Sequence, residues 1–118
     1  MPGGVSIHVV DISRGVVASG MRVEVYATAP SRSLLCAGSI NAQGLLADPV
    51  LMSEAMAPGH YEAVFHVAAY YLLAAIPLPD RPFLDVVSYR FGIADPLQHY
   101  HLPMKFTPWG YSCFRGGA

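Results

Sequence analysis

The chain has 118 residues, a formal net charge of −1, 53% hydrophobic residues and only 13% charged ones. That length builds about one domain around one core, so residues 1–118 are read as a single unit. The charge content is well below the roughly 25% usual for soluble domains, which points to apolar surface covered by further copies of the chain. No Lys/Arg cluster gives the basic footprint of a nucleic-acid binder. No apolar run reaches the roughly 18 residues of a membrane span, and the longest, residues 67–77, stops at a proline. The first residues show neither the basic nor the apolar region of a secretory signal, so a cytoplasmic location is expected. Cys36 and Cys113 match no metal or redox spacing and are expected to be free thiols.

In chain order, residues 5–11 alternate apolar and polar and predict a strand that carries His8. Residues 21–26 put Met21, Val23 and Val25 on one face and Arg22, Glu24 and Tyr26 on the other. Residues 61–66 and 84–91 read as strands of similar length. Turn signals separate them at Ser19-Gly20, residues 41–44, Pro58-Gly59, residues 80–82, Asp95-Pro96 and residues 108–110. Residues 67–75 are rich in Ala and Leu without alternation and predict a short helix ended by Pro77. Six to eight short strands at this spacing predict an all-β, two-sheet antiparallel sandwich with one helix.

Near the C-terminus, His99 and His101 stand two residues apart, which on a strand puts both imidazoles on one face. Imidazole titrates near neutrality and can relay protons, so this pair is the first candidate for chemistry. The same pair is half of a metal site if His8 or His66 supplies a third ligand, although no carboxylate or cysteine has ligand spacing nearby. Ser112 and Cys113 follow Gly110-Tyr111 without a nucleophile-elbow sequence, so water activated by histidine is favoured over a covalent intermediate. Arg115 carries a fixed fork of donors suited to a planar, oxygen-rich ligand.

Three segments together resemble one family. Ser6-Ile7-His8-Val9-Val10-Asp11 followed by Arg14-Gly15 looks like its first strand and turn. Arg90-Phe91-Gly92 followed by His99-Tyr100-His101-Leu102-Pro103 resembles a second signature, and Thr107-Pro108-Trp109-Gly110-Tyr111-Ser112 leads into a third. The chain resembles, over essentially its whole length, the 5-hydroxyisourate hydrolase branch of the transthyretin-like family. The resemblance implies an eight-strand sandwich with one helix, assembled as a homotetramer (a dimer of dimers) with sites in the channel between dimers. It implies a purine-metabolism enzyme, needing no cofactor, that opens a cyclic amide ring of 5-hydroxyisourate with water. It assigns His8 and His101 to the catalytic set; Arg115 is expected to orient substrate oxygens and Ser112 to bind substrate. The hormone-carrier branch binds its ligands in the same channel and lacks the histidines.

Other positions depart from the family pattern. Leu45 stands where the hydrolases carry an arginine, Phe114 for a tyrosine, Gly117 for a serine and Lys105 for a leucine, and Ala118 extends the terminus by one residue. Losing an arginine, a phenol and a hydroxyl leaves the pocket poorer in donors and more apolar. An unpaired donor set against a methyl group costs about 1–3 kcal/mol, so the departures favour a ring whose N–H groups are methylated or otherwise modified. The alternatives are a channel-binding protein without catalysis and a cyclase or isomerase on the same scaffold.

Overall fold

The structure is a computed structural model and describes residues 3–117. The expectation attached to Ala118 lies outside the described residues. Alternation fixes the first strand, β1 (Val5–Asp11): Val5, Ile7, Val9 and Asp11 are buried, while Ser6, His8 and Val10 face outward. β2 (Val16–Val17), β3 (Arg22–Ala27) and β4 (Ser33–Ser39) follow. After a 3-10 turn at Pro49–Met52 come β5 (Gly59–His66), the helix α1 (Val67–Leu73), β6 (Val86–Ile93), β7 (Tyr100–Thr107) and β8 (Gly110–Cys113). The strands form two four-stranded sheets, β2-β1-β7-β8 and β4-β3-β5-β6. The apolar faces of the two sheets meet in one core that includes Ile7, Val9, Val23, Phe65, Met104 and Phe106.

One pairing departs from the expected antiparallel sandwich: β1 and β7 run parallel, from Val5 opposite Tyr100 to Asp11 opposite Phe106. A parallel pair needs a long connection, and the whole second sheet intervenes between these two strands. The sixth strand also begins at Val86 rather than at residue 84. The carbonyl of Asp85 is taken by the backbone N–H of Ala68, which ties the approach to β6 to the helix instead.

The helix ends two residues before the expected limit. Ala74 N–H closes onto the Tyr70 carbonyl, Ala75 adopts a positive φ of 59°, and Ile76 N–H returns to the Tyr71 carbonyl. This wraps the last carbonyls of a helix too short to satisfy them otherwise. The buried face of α1 delivers Tyr70 and Tyr71 to Phe106 of β7, with ring centroids 5.1–5.6 Å apart in edge-to-face geometry. Burial pushes the Tyr71 phenol well above its ordinary pKa, so it stays protonated. It donates to Asp11 Oδ1 at 2.8 Å, which also accepts from the Ser13 hydroxyl at 2.6 Å and the Ser13 N–H at 3.1 Å. Helix and first turn are thereby locked against the core side of the sheet that carries His101. Phe106→Ala is expected to cost about 3–5 kcal/mol, read as a lowered midpoint in urea unfolding.

Candidate active site

The face of the β2-β1-β7-β8 sheet turned away from the core holds the histidines. On β7 the alternation buries Tyr100, Leu102, Met104 and Phe106 and turns His101, Pro103, Lys105 and Thr107 outward. The parallel register sets Ser6 beside His101, His8 beside Pro103 and Val10 beside Lys105. His8 and His101 therefore lie on a diagonal of one face, with Cα atoms about 8 Å apart from strand spacing and rise.

β8 closes the other side of this face. Its antiparallel register runs from Thr107 opposite Gly110 to Met104 opposite Cys113, and the His101–Gly116 bridge continues it. Phe114 thus lies opposite Pro103, and Ser112 lies opposite Lys105. On the far side of β1, Leu45 bridges to His8. One rung across the sheet accordingly reads Leu45, His8, Pro103, Phe114, with Ser6, His101 and Gly116 on the rung to one side. Val10, Lys105 and Ser112 make the rung to the other. Lys105 stands diagonal to His8, closer to it than to His101.

His8 is oriented by the turn at residues 41–45. Asn41 Oδ1 accepts from the backbone N–H groups of Gln43 and Leu45 at 2.9 and 3.0 Å. The turn presents the Gln43 carbonyl to His8 Nε2 at 3.1 Å. A carbonyl only accepts, so Nε2 carries the proton and neutral His8 keeps its Nδ1 lone pair. Gly44 makes this approach possible: its φ is +85°, and an added Cβ would sit 2.7 Å from His8 Nε2 and 2.8 Å from Val17 Cγ1. Gly44→Ala is expected to destabilise the protein by about 1–2 kcal/mol in urea unfolding, from the left-handed backbone alone. It is also expected to lower any histidine-dependent turnover by displacing the imidazole.

His101 Nδ1 lies 2.6 Å from the Ser6 hydroxyl, which also meets His99 Nε2 at 2.8 Å. His99 precedes β7, yet its ring reaches the same face, and its Nδ1 donates to the Gly3 carbonyl at 2.8 Å. Burial, then the neighbouring His8 and His99, hold the His101 imidazole below its ordinary pKa. A neutral His101 is therefore available as a proton acceptor at neutral pH. Gly116 leaves it room, since a Cβ there would stand 3.0 Å from the His101 ring and 3.1 Å from Pro103.

Not every expected site residue joins the histidines. Arg115 is opposite the inward-facing Leu102 in the β8 register, and its guanidinium stacks at 4.1 Å on the Tyr100 ring. It donates to Gln98 Oε1 at 3.2 Å and the His99 carbonyl at 3.4 Å, away from the His8 face. Gly117 is exposed and nothing lies within 4 Å of a Cβ added there. His66 sits in the other sheet, where it meets Glu24 at 3.0 Å, so it is no third metal ligand for this face. Among the described residues no group of three His, Cys, Asp or Glu side chains is placed to hold a metal ion. Cys36 and Cys113 are both free thiols, and burial pushes each up to about 11. Sequence reasoning missed Ser6, the Gln43 carbonyl and the two glycines. Ser6 was within reach of it, being two residues before His8 on the same face.

A two-sheet β-sandwich with one helix, bearing a histidine pair on an outer sheet face, defines the class of protein. The chain belongs to the HIUase/Transthyretin family, whose model matches residues 5–116. It is 38% identical over 115 residues to 5-hydroxyisourate hydrolase 2 of Rhizobium meliloti (strain 1021), covering 97% of this chain and 96% of that one. Among solved structures it resembles (S)-allantoin synthase, with a TM-score of 0.90 and 32% identity, covering 98% of this chain and 44% of that one. It also resembles the 5-hydroxyisourate hydrolase of Klebsiella pneumoniae, with a TM-score of 0.79 and 28% identity over 98% of this chain and 99% of that one. Among the described residues no helix is long and apolar enough to cross a membrane.

Proposed function

We propose that this chain is a hydrolase that opens a cyclic amide ring of a 5-hydroxyisourate-type purine oxidation product by adding water. The observation that carries the reading is the placement of His8 and His101 on one sheet face, with burial and neighbouring imidazoles keeping His101 neutral. His101 takes a proton from the attacking water and returns it to the departing ring nitrogen, while His8 holds that water through its Nδ1 lone pair. Lys105, diagonal to His8, and Ser112 beside it supply donors to the substrate oxygens. Arg115 donates to the backbone of His99 and stacks on Tyr100, which braces the segment leading into β7. The face is open in the protomer and is closed by further copies in a dimer of dimers, consistent with exposed Leu45, Val16 and Phe114 at its margin. The free thiols fit a reducing, cytoplasmic setting.

The preferred substrate is a modified ring, with N-methyl groups where urate-derived 5-hydroxyisourate carries N–H. Leu45 and Phe114 at the two ends of the His8 rung support this, since neither side chain offers a donor. The test is hydrolysis of freshly generated 5-hydroxyisourate and its trimethylated analogue, read as acceleration over spontaneous decay. Acceleration of the methylated ring above the unmethylated one is the expected result. Much faster turnover of the unmethylated ring defeats the methylated-substrate reading, and acceleration of neither defeats the hydrolase reading. Leu45 in place of an arginine favours a second reading, a channel binder without catalysis. That reading predicts ligand affinity without a titration near neutral pH.

A further inference from the structure

Ser6 has a single hydroxyl proton and two imidazole neighbours, so the direction of each hydrogen bond follows from one fixed end. The Gly3 carbonyl accepts only, which makes His99 Nδ1 the donor at 2.8 Å. A neutral His99 then has only a lone pair at Nε2, and the Ser6 hydroxyl donates to it at 2.8 Å. With its proton committed there, the Ser6 oxygen accepts from His101 Nδ1 at 2.6 Å. His101 is left with a free lone pair on Nε2. We propose that Ser6 is a positioning residue that couples His99 to His101 as a proton relay, holding His101 in the Nδ1–H tautomer with its Nε2 lone pair directed to the attacking water.

The relay has a balanced second state. His101 Nε2 takes a proton from water as the water oxygen bonds to the ring carbonyl carbon. The Nδ1 proton of His101 passes to Ser6 Oγ, and the original Ser6 proton passes to His99 Nε2. The positive charge ends on His99, whose Nδ1–H still donates to the Gly3 carbonyl. His101 is then neutral with its proton on Nε2. As the ring C–N bond breaks, that proton passes to the departing nitrogen while the proton of His99 returns through Ser6 to His101 Nδ1, which keeps His101 neutral and restores the starting state. Charge is thus moved off the imidazole that lies diagonal to His8, which lowers the cost of ionising His101 beside a second histidine.

This inference rests on the hydrolase reading for its kinetics but not for its structure. The experiment compares the wild type with Ser6→Ala, which removes the hydroxyl, and Ser6→Thr, which keeps it. Nitrogen-15 spectra of the histidine rings at pH 8 report the tautomer without any substrate. The wild type is expected to show His101 as the Nδ1–H form, opposite to the preference of imidazole free in water. Ser6→Ala is expected to shift it toward Nε2–H and Ser6→Thr to retain it. Turnover is expected to fall about 10²-fold in kcat for Ser6→Ala with KM little changed, and to recover in Ser6→Thr. An Nε2–H wild-type His101, or an unchanged kcat in Ser6→Ala, overturns the relay. Tautomers as expected, with no hydrolysis by the wild type, uphold the hydrogen-bond chain and refute the hydrolase reading instead.

Discussion

His101→Ala is expected to lower the histidine-dependent acceleration of ring opening by about 10³-fold, to near the spontaneous rate, with little change in stability. A positioned general base contributes roughly 10²–10⁴-fold, and His101 is the imidazole on the open face whose pKa is lowered. Its removal exposes no large apolar surface, because the ring is half-buried on an outer face and is not part of the core. The pH profile of the wild type gives an independent check. His101 acts unprotonated, so activity is present above its pKa and is lost as pH falls through it. Because that pKa lies below the ordinary histidine value of about 6.5, the acid limb is expected below that pH, with a plateau across neutrality. Lys105, His8 and His99 share the face, while the nearest β1 carboxylate, Asp11, points into the core toward Tyr71. Among the described residues, no carboxylate on the face opposes the downward shift. Retained acceleration in His101→Ala, or an acid limb well above pH 6.5, would place the base elsewhere.

Much of this arrangement is legible from residue spacing because a strand shows its faces through a period of two. Ser6, His8 and Val10 on one strand and His101, Pro103 and Lys105 on another fall on outward faces directly from that rule. Which outward faces adjoin does not follow, since it depends on pairing between strands more than ninety residues apart in sequence. Local pattern favours antiparallel neighbours, and the parallel β1–β7 pair is fixed instead by burial of Ile7, Val9, Leu102 and Met104 against the second sheet. Arg115 shows the same limit in reverse. Its residue type draws attention to it, and only the β8 register continued past Cys113 shows that it lies on the other face, over Tyr100. Backbone groups are harder still to foresee. The Gly3 and Gln43 carbonyls orient His99 and His8, and a carbonyl carries no signature of residue type.

Leu45→Arg is expected to raise turnover of unmethylated 5-hydroxyisourate by about 10²-fold and to lower the relative rate on the trimethylated ring. Leu45 is 37% exposed and bridges to His8, so a longer side chain there can extend over the open face without entering the core. A guanidinium at that end of the rung offers planar, permanently charged donors beside the carbonyl under attack. Donors aimed at charge that develops in the transition state are worth about 10²–10³-fold in kcat. The same donors oppose a methylated ring, because each one left facing a methyl group loses its partner at a cost of about 1–3 kcal/mol. Phe114→Tyr and Gly117→Ser, introduced together with Leu45→Arg, are expected to move the ratio further in the same direction. The serine meets no steric barrier, as nothing lies within 4 Å of a Cβ at residue 117. The decisive quantity is the ratio of kcat/KM for the two substrates in wild type and variant. A ratio unchanged by Leu45→Arg would mean that Leu45 does not face the substrate, and the apolar rung would then have no part in selecting it.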